Sequence, residues 1–181
     1  MRKVIASEYV TLDGVMEAPN EWSLQFWSDE AAKYKFDELF SSGALLLGRI
    51  TYEGFAAAWP SMKDEEGFAD RMNDLPKYVV SSSLEEVGWR NSRLIKGDIP
   101  GEITKLKQQS GQDILIGGSA ELVQTLMRHD LIDEYRLMVH PVVVGRGKRL
   151  FKESNKRLKL VETKPLSSGV IILHYQPDQR N

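Results

Sequence analysis

The chain has no cysteine among its 181 residues. That absence excludes disulfides, thiolate metal sites and a cysteine nucleophile, and it fits a reducing compartment. Net charge is also nearly absent, with 24 Lys and Arg against 26 Asp and Glu, formally −2. No overall field draws the chain to nucleic acid or to an anionic membrane, and neither is expected as a partner. Long apolar runs are missing as well. The stretches 44–47, 142–144 and 170–173 are far too short to span a bilayer. The apolar stretch behind Met1-Arg2-Lys3 stops at Glu8, too soon for a signal peptide. A cytoplasmic location is the expectation. His129, His140 and His174 lack metal-ligand spacing, so no metal is expected. A P-loop, G-x-x-x-x-G-K-[ST], is absent. Gly145-Arg146-Gly147 begins like a Rossmann fingerprint, but Leu150 stands at the third glycine and no helical pattern follows.

Hydrophobic residues at 41% and charged residues at 28% give the balance of a globular protein, expected as one domain over residues 1–181. No repeat, low-complexity tract or linker divides it. Strand-like runs at 4–9, 44–47, Lys77–Val80, 93–95, 114–116 and 134–139 alternate with helical patterns, which implies an α/β sheet. Ser28-Asp29-Glu30 opens a helix whose apolar stripe is Ala32, Phe36, Leu39 and Phe40, and Gly43 stops it. Further helices start at Thr51, ending at Pro60, at Pro100, and around Leu122, Val123, Leu126 and Met127. Residues 62–74 read as a charged surface excursion. Runs at 158–162 and 170–175 form a hairpin through Pro165 and Ser167-Ser168-Gly169. The expected fold is a mostly parallel central sheet with helices on both faces and an antiparallel carboxyl-terminal edge.

Two segments run from apolar strand through glycine to helix. One is Leu45-Leu46-Leu47-Gly48-Arg49-Ile50-Thr51, the other Ile114-Leu115-Ile116-Gly117-Gly118-Ser119-Ala120. Glycine at a strand end admits close approach of a ligand to the backbone, and the following helix offers unpaired N–H groups and partial positive charge. Such a turn binds phosphate, and two of them suit a dinucleotide. Tight strand-to-helix packing is the plainer role for these glycines. Arg49 adds a permanent bidentate phosphate partner, and Thr51 and Ser119 stand where a helix cap or a phosphate contact is expected.

Leu47-Gly48-Arg49-Ile50-Thr51-Tyr52-Glu53 resembles the G-R-x-T-[WY]-E turn of dihydrofolate reductases, and Ile116-Gly117-Gly118-Ser119-Ala120-Glu121-Leu122 resembles their I-G-G-x-x-[LIV] turn. Thr11-Leu12-Asp13-Gly14 is closer to the S-L-D-G opening of a sister family, the RibD C-terminal reductase domain of riboflavin biosynthesis. Asp133-Glu134-Tyr135, the run His140-Pro141-Val142-Val143-Val144-Gly145-Arg146-Gly147 and Leu150-Phe151 resemble that family's late strand and loop. The resemblance covers nearly the whole chain. It implies the dihydrofolate-reductase-like fold, NADPH as cofactor and, together with the long terminal hairpin, a homodimer. Gly48, Arg49 and Thr51 would lie under the pyrophosphate and adenosine phosphate, with Gly117, Gly118, Ser119, Ala120 and Leu122 on its other side. Ser81 and Ser82, within Ser81-Ser82-Ser83, match the position that meets the adenosine 2′-phosphate; an ordinary polar turn is the alternative. No acid within 79–83 would grip an unphosphorylated ribose, which favours NADPH over NADH. Ala6 and Val15 would lie near the nicotinamide.

The function implied is hydride transfer to a small heterocycle, as in 5-amino-6-(5-phosphoribosylamino)uracil reduction. Dihydrofolate reduction is an alternative. Its acid on the second element would fall near Ala32, however, and the nearest acids, Asp29 and Glu30, lie on another face as helix-terminal charges. A non-catalytic nucleotide-binding or sensing protein is the second alternative. The cofactor carries the chemistry and the protein aligns donor with acceptor, but a proton must still arrive. Asp13 is the first candidate donor and Glu17 the second; an Asp-Gly turn residue is equally a structural one. Trp22, Phe26 and Trp27 would border the substrate, with Tyr52 and His140 as polar contacts. The basic stretch 146–159 reads as a solvated loop or a substrate-phosphate contact.

Overall fold

Apolar runs buried on both faces become the strands of one sheet. The computed structural model describes residues 1–178, so residues 179–181 of the expected domain lie outside the described residues. The strands are β1 (Val4–Thr11), β2 (Ser42–Gly48), β3 (Lys77–Val80), β4 (Ser92–Ile95), β5 (Asp113–Gly117), β6 (Glu134–His140), β7 (Leu158–Pro165) and β8 (Ile171–Pro177). The helices are α1 (Pro19–Trp22), α2 (Asp29–Phe40), α3 (Arg49–Ala58), α4 (Phe68–Asp74), α5 (Ile99–Gln108) and α6 (Ala120–Arg128). Sheet order is β4-β3-β2-β5-β1-β6-β8-β7. The first six strands pair in parallel, and β8 and β7 add an antiparallel edge. This is the architecture read from the sequence.

Alternation along the central strands sorts side chains into two layers. Val4, Ala6, Ile114 and Ile116 pack with Ile103 and Leu106 of α5 and with Val123 and Leu126 of α6. Ile5, Leu45, Leu47 and Leu115 face the other way, toward Leu39 of α2, Tyr52 of α3 and Met72 of α4. Side-chain caps fix three helix starts. Ser28 Oγ accepts the Ala31 N–H at 3.2 Å, Asp98 Oδ1 that of Gly101 at 3.0 Å, and Ser119 Oγ that of Leu122 at 3.3 Å.

The excursion expected over 62–74 is corrected: α4 occupies its second half. Asp64 accepts the N–H groups of Phe68 and Ala69, at 2.9 and 2.6 Å, and starts the helix. Ala69, Met72 and Asn73 are buried on its inner side. Its seven residues carry too few apolar positions for periodicity to show.

One irregularity in the pairing creates the site. β1 pairs with β5 only as far as Ser7↔Gly117, yet continues beside β6 to Thr11↔His140. β2 and β5 part after Leu46↔Ile116. The carboxyl ends of the strands therefore open a crevice between β5 and β1, where the chain switches from one side of β1 to the other, the usual ligand position in an open α/β sheet.

Candidate functional site

A cleft of about 1050 Å³ lies over the tips of β4, β3, β2, β5 and β1. Both glycine turns line it, with Arg49, Ile50 and Thr51 from the start of α3 and Ser119, Ala120 and Leu122 from the start of α6. The turns lock into each other. A Cβ on Gly48 would lie 2.6 Å from the Ser119 Cβ, and one on Gly118 would lie 2.5 Å from Thr51 Oγ1. Each glycine thus makes room for the other turn's hydroxyl residue, which brings the two helix starts side by side. Gly118 also has φ +73° and Ser119 φ 66°, so two successive residues are left-handed, a sparsely populated conformation for serine. α3 begins at Gly48 with no side-chain cap, leaving its first N–H groups to the cleft. Arg49 lines the same end and ion-pairs with Glu53 at 3.0 Å in the helical i, i+4 relation.

Ser81, Ser82 and Ser83 line the cleft at the tip of β3. Ser81 Oγ accepts the N–H groups of Ser83 and Leu84 and so builds its own turn. Lys96, just past β4, joins them and is exposed. Sequence reasoning missed it because only the adjacency of β4 and β3 brings it beside the serines.

The other half of the cleft holds acids and a lysine that were not singled out from sequence. Glu8 on β1 is 3% exposed. Its Oε2 accepts the Gly118 N–H at 3.0 Å, while Oε1 is buried without a hydrogen-bond partner among the described residues. Burial pushes its carboxyl up to about 8, against the Gly118 N–H and the Lys35 charge, which favour the ionised form. From α2, Lys35 donates to Ser7 Oγ at 2.8 Å and to Glu38 Oε2 at 2.5 Å, and Ser7 Oγ donates to the same Glu38 oxygen at 2.7 Å. The Lys35 ammonium lies 5.5 Å from the Tyr9 ring centroid. Burial works against its charge, but Glu38 and the Tyr9 oxygen outweigh it and hold Lys35 above the ordinary lysine range. Glu38 is the acid of α2 that lines the cleft, where the sequence count had looked near Ala32. It lies six residues later on the same helix, and Asp29 and Glu30 remain at the helix start, where Glu30 accepts from Ser167. The i, i+3 spacing of Lys35 and Glu38 and the polar Ser7-Glu8 pair inside an apolar strand were the available signals.

Several expected site residues lie elsewhere. Asp13 does not line the cleft. It accepts from Thr11 Oγ1 at 2.5 Å and from the Gly145 N–H at 2.8 Å, tying the first loop to the late one. The Thr11 hydroxyl bond, with the Gly145 and Val144 N–H groups, lowers its carboxyl to about 2, so it carries no proton to donate at neutral pH. Ala6 is fully buried in the core, and Val15 is buried in a bridge with Arg149. Tyr52 is buried behind the sheet, its hydroxyl accepting the Trp89 N–H at 3.0 Å. His140 is buried among Tyr9, Trp22 and Phe26, with Nδ1 2.9 Å from the Met138 carbonyl, and burial lowers its basicity. Trp22 packs there too, donating its indole N–H to the Glu17 carbonyl at 3.0 Å, while Trp27 is exposed. Glu17 does line the cleft, where its Oε2 accepts the Lys148 N–H at 3.0 Å.

Known proteins match this chain along its length. Its sequence is 34% identical to uncharacterized protein YyaP of Bacillus subtilis (strain 168), over 96% of this chain and 94% of the relative. A provisionally named riboflavin biosynthesis protein of Shewanella sp. PV-4 shares the fold with a TM-score of 0.79 at 20% identity, covering 99% of this chain and 100% of that one. Dihydrofolate reductase of Enterococcus faecalis, solved with NADP(H), shares it with a TM-score of 0.65 at 15% identity, covering 98% of this chain and 97% of that one. The family model of the RibD C-terminal domain matches residues 2–172, and the chain belongs to the RibD C-terminal domain family.

Proposed function

We propose that the protein is an NADPH-dependent reductase that acts on a small heterocyclic substrate. The observation that carries this reading is the interlocked pair of glycine turns, which aims two helix starts and Arg49 at one end of the cleft. The residues fit the group. The α3 start has no cap of its own, Arg49 lines the same end of the cleft beside Glu53, and glycine at 48 and 118 lets the two turns close on each other's hydroxyl residues, so that both helix starts face one place. Gly48, Arg49, Thr51, Gly117, Ser119, Ala120 and Leu122 hold the pyrophosphate region in this reading. Gly118 serves differently, since its N–H is bonded to Glu8. Ser81, Ser82 and Lys96 take the adenosine 2′-phosphate, where a cation and hydroxyls favour NADPH over NADH. The bound nicotinamide supplies a hydride, and the chain's own groups orient the acceptor and exclude water. Tyr9, Lys35 and Glu38 line the opposite half, where an aromatic face and paired charges suit a flat, polar ring.

The reductase family and the NADP(H)-bound structural neighbour support this reading. A second substrate reading rests on Glu38: with an acid on α2 in the cleft, dihydrofolate stands beside the riboflavin-pathway ribosylaminopyrimidine as a substrate to test. Loss of NADPH absorbance with each compound, at pH 7, is the experiment. Turnover with the ribosylaminopyrimidine supports the riboflavin-type reading, and turnover with dihydrofolate alone replaces it with folate reduction. Nucleotide binding without turnover of either leaves a nucleotide-binding protein.

A further inference from the structure

Strand order lays the cleft's groups out in a line. From one side to the other come Ser81 just past β3, Gly48 on β2, Gly117 on β5 and Glu8 on β1. Three strand spacings separate β3 from β1, about 14 Å at 4.8 Å each. A dinucleotide whose adenosine phosphate lies at β3 and whose pyrophosphate lies between the two turns has its reacting ring at the tip of β1. Glu8 is the acid there, and it stands where β1 departs from β5. Its Oε2 is fixed by the Gly118 N–H, which leaves Oε1 as the free position. No other side chain of β1 in the cleft both bears an acid and lacks a partner.

We infer that Glu8 is the proton donor of the reduction, giving its proton from Oε1 to the substrate nitrogen or oxygen next to the carbon that receives the hydride. The inference rests on the NADPH-dependent reading above. The step balances. The hydride brings two electrons and one hydrogen to carbon, and the carbon–heteroatom π bond opens. The Glu8 O–H bond breaks as a new N–H or O–H bond forms, leaving oxidised nicotinamide and ionised Glu8, which regains a proton from water. Three features of the site suit the task. Burial keeps Glu8 protonated at neutral pH, where Asp13 is ionised. The Gly118 N–H stabilises the carboxylate once the proton has left. Lys35, facing Glu8 from α2, does the same, while Glu38 beside it opposes ionisation.

The test needs no substrate. NADP⁺ carries a positive ring that NADPH lacks, so a carboxyl beside that ring ionises when NADP⁺ binds and keeps its proton when NADPH binds. Titration calorimetry at pH 8 in two buffers of different ionisation enthalpy counts the protons exchanged. At that pH the 2′-phosphate, with a second pKa of about 6, is already ionised. The wild-type protein is expected to release about half a proton on binding NADP⁺ and close to none on binding NADPH. Glu8→Gln retains an acceptor for the Gly118 N–H and is expected to abolish the difference. Equal proton counts for the two nucleotides in the wild-type protein overturn the inference, as does release that persists in Glu8→Gln. Proton uptake with both nucleotides also overturns it, because that is the response of an acid beside phosphate. Failure of both nucleotides to bind overturns the cofactor reading itself and is distinct from these results. The wild-type comparison stands alone should Glu8→Gln not fold.

Discussion

Glu8 joins chemistry to stability at a single residue. Its carboxyl is held at about 8 in the folded protein, whereas an ordinary glutamate ionises near 4.5. Between these values the folded state retains a proton that the unfolded chain gives up, so this group lowers stability as pH rises through the window. Glu8→Gln removes the effect. Denaturant unfolding at pH 5 and pH 8 is expected to show the variant gaining on the wild-type protein by up to about 1.4 kcal/mol per pH unit; parallel pH profiles would count against a protonated Glu8. Such residues were hard to read in the sequence. Lys77 shows the same difficulty, being fully buried with its ammonium 4.0 Å from the Trp89 ring centroid. Its sequence neighbours suggest an ordinary strand start. Gly48 and Arg49 were legible because a local motif encodes them. Glu8, Lys35 and Glu38 were not, because their meeting depends on α2 packing over the tip of β1.

At the scale of elements, the two strand–glycine–helix units act as one device. Gly118 has a positive φ and would direct a Cβ at Thr51 Oγ1, so Gly118→Ala meets both backbone strain and a steric clash. Its expected cost is on the order of 2 kcal/mol of unfolding free energy, with a weaker affinity for NADPH. A variant with unchanged melting and unchanged binding would show that the interlock is not needed. The strand–helix alternation, the hairpin of β7 and β8 and the caps at Ser28 and Ser119 were all readable, since each depends on neighbours in sequence. The failure at α4 has the opposite cause. That helix is short, and its buried side is fixed by packing against Trp59 and Trp89 rather than by its own periodicity. Asp13 misled for a related reason: its loop position is right, but its carboxylate is used up by Gly145 and Val144, 132 and 131 residues away in the chain.

For the whole molecule, the sheet ends on an unusual strand. β7 is exposed along most of its length, and Leu160, Val161 and Ile171 expose about half of their surface on β7 and β8. Open, apolar edges invite pairing with another chain. The resemblance and the terminal hairpin carry the expectation of a homodimer, and we propose that two copies meet at the exposed Leu160, Val161 and Ile171 of this edge. Light scattering is expected to give twice the chain mass, and Leu160→Glu to give the monomer. A monomeric wild-type protein would contradict the proposal. No described helix is long and apolar enough to cross a membrane.

Binding of NADPH by the interlocked turns is most immediately tested by direct titration. Calorimetry with NADPH and NADH, on the wild-type protein and on Arg49→Ala, measures it without any substrate. Saturable NADPH binding that is tighter than NADH binding is expected, with a loss of at least tenfold, about 1.4 kcal/mol, when Arg49 is truncated. Absence of binding by either nucleotide, or an NADPH affinity untouched in Arg49→Ala, would contradict it.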